Sequence, residues 1–381
     1  MKILNLKFSL IAALLLMGAS VSAQTLPWSE RMAATAMKIW ADSMLVEPGK
    51  PVKWAYDQGV VLEGIANLWK RTANGDYFKY IQKSMDFFIE KDGTIKRYKQ
   101  ADYNIDHIKN GRSLLLLYRT TLSEKYYKAA ATLRQQLKDH PRTAEGGYWH
   151  KKIYPEQMWL DGLYMGEPFY TEFAVNFNDQ QAFDDIANQF IYMENHSRDG
   201  KTGLMYHGWD ASKKEQWANK TTGLSPNFWG RAMGWYGMAL VDVLENFPAD
   251  HPKRNALIGI LNRFAKAVTS VQSASGTWYQ VLDMPAAKGN YKEASASCMF
   301  VYALAKGARM GYLPATYNLV AQKGFNGIIK EFIETEASGQ VNLKGTVAVA
   351  GLGGKPYRDG SYNYYIGEKV ATNDPKGVGA F

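Results

Sequence analysis

Apolar residues recur along this chain in paired stretches at helical spacing, and the two members of each pair differ in kind. The first pair runs Gly59 to Lys70 and, after Asn74-Gly75-Asp76, Tyr77 to Phe88. The plan repeats at Gly111 to Tyr118 with Tyr126 to Leu137, and at Leu163 to Phe173 with Ala182 to Met193. It continues at Trp229 to Phe247 with Asn255 to Val271, and at Ala294 to Met310 with Ala315 to Ile333. The first member of each pair is rich in Gly, Ala and bulky apolar residues, as a helix buried on most sides must be. The second mixes charge with an apolar stripe, as an outer helix would. Turn signals punctuate the units at Asp92-Gly93, Glu145-Gly146, Asp199-Gly200, Ser275-Gly276 and Ser338-Gly339.

With an opening helix over Trp28 to Leu45, the pattern predicts about six helical hairpins. An open solenoid would share a period of this length. Inner helices apolar on so many sides argue instead for a closed double ring, six within six. The turns Gly147 to His150, Gly203 to Asp210 and Thr277 to Asp283 are then expected at one rim. No Pro/Ser linker divides the chain, so residues 24–381 are expected to form one domain.

The opening residues change the picture of where the chain acts. Lys2 and Lys7, the apolar run Phe8 to Met17 and the small-residue site Val21-Ser22-Ala23 form an export-signal pattern. Cleavage after Ala23 leaves 381 − 23 = 358 residues. The apolar run is too short to span a bilayer, and no cysteine at the cut offers a lipid anchor. A periplasmic or secreted enzyme with no membrane anchor is expected. Cys298 is the single cysteine, which excludes an intrachain disulfide and a cysteine metal cluster. Net charge is +9, or +7 without Lys2 and Lys7. That excess attracts acidic partners by field alone. No dense basic block suggests nucleic acid. The 11 Trp, 24 Tyr and 16 Phe favour an acidic saccharide instead, because flat rings stack on sugar faces.

Two carboxylates stand out. Asp161, in Met158-Trp159-Leu160-Asp161-Gly162, and Asp106, in Tyr103-Asn104-Ile105-Asp106-His107, occupy similar places in successive repeats. Capping is the alternative role for each, since Asp caps helices well. Asp161 follows Trp159 and opens an apolar helix, so its carboxyl is expected to be partly desolvated, a setting suited to proton donation. His207, in Tyr206-His207-Gly208-Trp209, belongs to a turn expected at the same rim. Arg231 and Trp235 are four apart and share a helix face. A guanidinium in an aromatic, glycine-rich helix needs either a core acid or an anionic ligand such as a sugar carboxylate. Trp229 is either a stacking platform or core, and Asp57, beside Tyr56, is a third acid or a cap. No phosphate-cradling loop, HExxH or nucleophile elbow is present.

Three runs carry a family resemblance: WLDGLYMGEPF (Trp159 to Phe169), NFWGRAMGW (Asn227 to Trp235) and the tail YRDGSYNYY…NDPKGVGAF. They are similar to glycoside hydrolase family 105, the unsaturated rhamnogalacturonyl hydrolases, which are related to the unsaturated glucuronyl hydrolases of family 88. The resemblance covers nearly all of the mature chain. It implies an (α/α)6 barrel, with Asp161 as general acid/base and Asp106 as a second essential aspartate. His150, Lys151, His207, Trp229, Arg231 and Trp235 match pocket positions, and Tyr56 is placed with them as substrate-binding. No metal or other cofactor is implied.

The implied substrate is an acidic oligosaccharide bearing 4,5-unsaturated galacturonic acid at its non-reducing end, as a pectin lyase leaves it. The implied reaction is protonation at C4 and hydration at C5 of a vinyl ether, with one residue as acid and then base. Two alternatives stay open from the residues: a conventional inverting glycosidase with separate acid and base carboxyls, and a non-catalytic glycan-binding protein.

Overall fold

The structure, a computed structural model, describes residues 26–41 and 51–381. The export signal expected over 1–23 and the last residues of the opening helix, 42–45, lie outside them. Eleven longer helices come first: α1 (Trp28–Ile39), α2 (Tyr56–Thr72), α3 (Gly75–Phe88), α4 (Gly111–Thr121), α5 (Glu124–Asp139), α6 (Leu160–Phe177), α7 (Ala182–Ser197), α8 (Gly230–Asn246), α9 (Arg254–Ser270), α10 (Ala294–Arg309) and α11 (Tyr317–Phe332). Two six-residue helices, α12 (Tyr362–Gly367) and α13 (Pro375–Ala380), follow. The five consecutive hairpins are those the apolar pattern predicts.

Burial separates the two rings as composition suggested. Every residue of α8 from Gly230 to Leu244 is buried. In α5 only a stripe is buried, Tyr126, Ala129, Ala130, Leu133, Gln136 and Leu137, at one-face helical spacing. The inner ring runs α2, α4, α6, α8, α10 and α13, each packed on the next, and α13 closes it against α2. The sixth pair is therefore not a hairpin. It joins α13 on the inside to α1, which packs on the outside of α2. Closure needs two glycines: a Cβ at Gly379 would lie 2.5 Å from the Val60 carbonyl oxygen, and one at Gly64 would lie 2.9 Å from that of Gly379.

The turns between units share a device. Gly93, Gly146, Gly276 and Gly339 have positive φ, and each amide donates to a carbonyl three residues back. In the third unit the left-handed glycine is Gly203, not Gly200, and Asp199 orders that turn by accepting from the amides of Lys201 and Thr202. Short antiparallel pairs knit the ends: β1 (Gln157–Trp159) with β2 (Gly208–Asp210), β3 (Ile333–Thr335) with β4 (Val341–Leu343), and β5 (Thr346–Val347) with β6 (Val370–Ala371).

Charge also runs through the middle of the barrel. Arg112 of α4 reaches Glu172 at 2.6 Å, Asp242 at 2.7 Å and Glu63 at 3.2 Å. Asp242 also accepts from Lys306 Nζ at 2.7 Å and from Tyr302 Oη at 2.6 Å. Burial opposes ionisation of Asp242, yet Lys306 and Arg112 hold its carboxyl far below the usual range. These groups come from five inner helices, so the network ties the ring together across its axis.

Candidate active site

Each inner helix except α13 is followed by a returning outer helix, so the inner helices run parallel and point their N-termini at one rim. Those ends carry uncompensated amide dipoles and favour negative charge. The candidate residues gather there because of backbone pairing. His150 N donates to Gln157 O at 2.7 Å, Ile105 N to His150 O at 3.2 Å, and Lys152 N to Tyr103 O at 3.1 Å. These bonds lay the turn bearing His150 and Lys151 between the two aspartate segments. β1 pairs Trp159 with Gly208, and Leu160 N donates to His207 O at 3.0 Å. His207 is thereby fixed next to Asp161.

Neither aspartate is a cap. Asp106 lies in a short 3-10 segment, Ile105–Asn110, whose cap is Asn104; its side chain accepts from the Asp106 amide at 3.1 Å. Asp161 sits in the first turn of α6, after Trp159, which makes no side-chain capping bond. Both carboxylates face inward instead, with side chains 12% and 13% exposed.

Their surroundings differ. Asp106 Oδ2 is 2.6 Å from Lys151 Nζ, and its Oδ1 is 3.5 Å from His150 Nε2. Burial pushes this carboxyl up, but Lys151 and then His150 outweigh it and hold it below the usual range. Asp106 is thus locked as an anion. Among the described residues Asp161 has no Lys or Arg ion-pair partner. His207 Nε2 approaches its Oδ2 to 3.1 Å, but off the direction of an aligned bond, so both buried atoms lack a hydrogen-bond partner. His150 stacks on Trp159 with ring centroids 4.2 Å apart, and burial lowers its imidazole from 6.5 to about 4. It is neutral at pH 7.

Arg231 is 1% exposed. Among the described residues it forms no ion pair; it donates to the Val347 carbonyl, to Ala348 O at 3.4 Å and to Ser295 Oγ at 3.4 Å. Its Nε has no partner. A core acid, Glu293, is reached only through a hydroxyl: Ser295 Oγ, which accepts from Arg231, lies 2.8 Å from both Glu293 carboxylate oxygens. A buried cation held by carbonyls and a hydroxyl retains attraction for an anion. Burial, then Asp57, raise the Tyr56 hydroxyl well above its ordinary value, while Arg231 opposes them. Tyr56 is therefore a neutral hydroxyl within the field of both charged groups. Asp57 is 3.1 Å from Lys376, which also holds Asp374 at 2.9 Å. It is neither a cap nor a free acid.

Trp229, a stacking platform or core by sequence, and Trp235, matched by resemblance to a pocket position, are both enclosed by protein. Each is 1% exposed. Trp229 lies against Tyr365 (5.7 Å between centroids, 19° between planes) and tilts over His207, and its Nε1 donates to Gln280 Oε1 at 3.1 Å. Trp235 stacks on Tyr164 at 4.8 Å and meets Tyr56 edge-on at 6.4 Å. Protein rings already occupy their faces, so both support the site from beneath. Residues not singled out from sequence complete it. Tyr365 of α12 places its hydroxyl 2.7 Å from His207 Nδ1, and Gln280 binds the Tyr365 carbonyl at 3.0 Å. The aromatic tail motif was the available signal for Tyr365. A separate apolar cavity of about 260 Å³, between α1, α2 and residues 378–381, contains neither Asp106 nor Asp161.

Known proteins share this fold. A family 105 glycoside hydrolase structure from C. acetobutylicum ATCC 824 superposes with a TM-score of 0.90 at 49% identity, over 93% of this chain and 97% of that one. The unsaturated rhamnogalacturonyl hydrolase YesR of Bacillus subtilis is 28% identical over 282 residues, 72% of this chain and 75% of its own length. The unsaturated glucuronyl hydrolase of Bacillus sp. GL1 shares the fold, with a TM-score of 0.67 at 12% identity over 92% of each chain. Residues 28–381 match the profile of Glycosyl Hydrolase Family 88, and the chain belongs to that family of glycoside hydrolases.

Proposed function

We propose that this enzyme removes a 4,5-unsaturated uronic acid from the non-reducing end of a lyase-generated acidic oligosaccharide, with unsaturated galacturonyl units of rhamnogalacturonan as substrate. The observation that carries this reading is the inequality of the two carboxylates. Lys151 locks Asp106 as an anion at 2.6 Å, whereas Asp161 has, among the described residues, no Lys or Arg partner and a buried oxygen without a hydrogen bond. One carboxyl is held in an ion pair with lysine and the other is not. A conventional inverting pair needs both to take part.

In the proposed sequence Asp161 gives its proton to C4. The C4=C5 π pair forms the new C–H bond, and the ring oxygen stabilises the positive charge at C5. Water then attacks C5 and returns a proton to the Asp161 carboxylate. The hemiketal opens and releases the remaining saccharide, so one water is consumed. Asp106 accepts hydrogen bonds from ring hydroxyls, and Arg231 with the helix N-termini attracts the uronate carboxylate. Support comes from the YesR likeness and from the family 105 structure.

The test is incubation with lyase-treated rhamnogalacturonan in D2O. Expected are loss of the unsaturated-sugar absorbance and deuterium at C4. Release from saturated substrate with that absorbance unchanged would sink the proposal and favour an inverting glycosidase. We also propose that residues 1–23 direct export, checked by the N-terminal sequence of protein recovered from the periplasm.

A further inference from the structure

His207 Nδ1 lies 2.7 Å from the Tyr365 hydroxyl, and both residues are fully buried. One of the two must donate. Tyr365 Oη is buried and His207 Nδ1 is the one acceptor its hydrogen reaches among the described residues, so the phenol donates; burial also raises Tyr365 well above its ordinary value and keeps that hydrogen in place. A neutral imidazole that accepts at Nδ1 carries its hydrogen on Nε2. That nitrogen is the one 3.1 Å from Asp161 Oδ2. The titratable groups facing His207 are Asp161 from α6, Tyr365 from α12 and His150 from the preceding turn. Trp159 and Trp229 fill the rest of its contact.

We infer that Tyr365 is a positioning residue: it fixes His207 with hydrogen on Nε2 and so decides which Asp161 oxygen carries the transferable proton. With an N–H facing Oδ2, the ring favours that oxygen as an acceptor. The proton then resides on Oδ1. A turn of the ring is needed to align the N–H with Oδ2, and the phenol holds the opposite ring nitrogen at 2.7 Å while Gln280 binds the Tyr365 carbonyl. Without the phenol, Nδ1 takes the hydrogen and Nε2 becomes an acceptor. Asp161 would then bind its proton on Oδ2, against His207, where substrate cannot take it. The known behaviour of outer partners of catalytic and metal-bound histidines sets the scale, a loss of about 10–100-fold.

This inference rests on the reading of Asp161 as the proton donor, and the experiment separates the two. Histidine 15N NMR on the whole protein, with His207 assigned by comparison with His207→Gln, reports the tautomer directly. Wild-type enzyme is expected to show His207 with hydrogen on Nε2 at neutral pH. Tyr365→Phe is expected to move it to Nδ1, lower kcat about 10–100-fold with KM changed less than about threefold, and carry the basic limb of the pH–rate profile upward. A wild-type His207 with hydrogen on Nδ1 overturns the inference even if the variant fails to fold. So does a Tyr365→Phe protein with an unmoved tautomer and profile. Absence of wild-type turnover on the unsaturated substrate would overturn the functional reading alone, because the tautomer is read without substrate.

Discussion

Two of the buried charged clusters in the barrel are treated in opposite ways. Along the axis, Arg112 meets three carboxylates and Asp242 meets Arg112, Lys306 and Tyr302. At the rim, Asp161 Oδ2, His207 Nε2, His150 Nδ1 and Arg231 Nε are buried without partners. Lys109 stands between them, over the Tyr164 ring at 4.5 Å and 3.9 Å from Glu63, and burial lowers its ammonium to about 8. A satisfied network fixes one arrangement of helices. Unpaired buried polar atoms cost stability and persist where a ligand is to complete them. The difference separates groups that hold the ring from groups that await substrate.

Substitutions should split along that line. Asp161→Asn removes the exchangeable proton, and its kcat should fall by about 10³-fold or more, within the range for general acid–base groups, with the melting temperature unchanged or higher. Retention of most of the wild-type rate on an unsaturated disaccharide would end the assignment. Arg112→Met does the reverse. It removes the partner shared by Glu63, Glu172 and Asp242, leaving them Lys109, Arg119 and Lys306, and should destabilise by about 3–5 kcal/mol in denaturant titration, while the surviving folded fraction turns over normally. A large activity loss per folded molecule would show that the two clusters are coupled.

Acid should erode the rim first. His150 has a folded value near 4 against an ordinary 6.5. Its contribution to stability is complete above 6.5 and is lost as the pH falls from there toward 4. Asp242 and Glu63 are lowered carboxylates, despite burial, because Lys306 and Arg112 neutralise them. Their contribution holds above the ordinary carboxyl range, near 4, and is lost only below it. His150→Gln should therefore flatten the fall in melting temperature between pH 6.5 and 4 and leave the steeper loss below 4 in place. Identical curves would remove His150 from the account. The smallest effect is expected from Tyr56→Phe, which keeps the ring against Trp235 and deletes one hydroxyl. One neutral hydrogen bond corresponds to about 3–10-fold in kcat/KM, and no change would place that hydroxyl outside the pocket.

Local pattern made five hairpins readable, because burial on one face or on all faces leaves a periodic trace. It could not show the sixth pair. α13 has six residues, PKGVGA, with no apolar period, and its place depends on glycine contacts with α2 more than three hundred residues away. Asp106, Asp161, His207 and Arg231 were readable because short motifs carry them. Tyr365 acts across 158 residues, and a contact of that range leaves no spacing to find. The axial network left a faint trace in Glu63, Arg112, Glu172, Asp242 and Lys306, all charged and all on the inner helices, where most residues are buried. Pairing among them is a property of the closed ring alone.

Closure by α13 and the contact from Tyr365 also order events in time. During synthesis the ten hairpin helices are made before residues 362–380 exist. Until those residues arrive, the ring has a gap between α10 and α2, and His207 lacks its hydroxyl partner. The pocket is thus the last part of the molecule to be built, and a nascent chain carries both aspartates well before it carries the groups that complete their site.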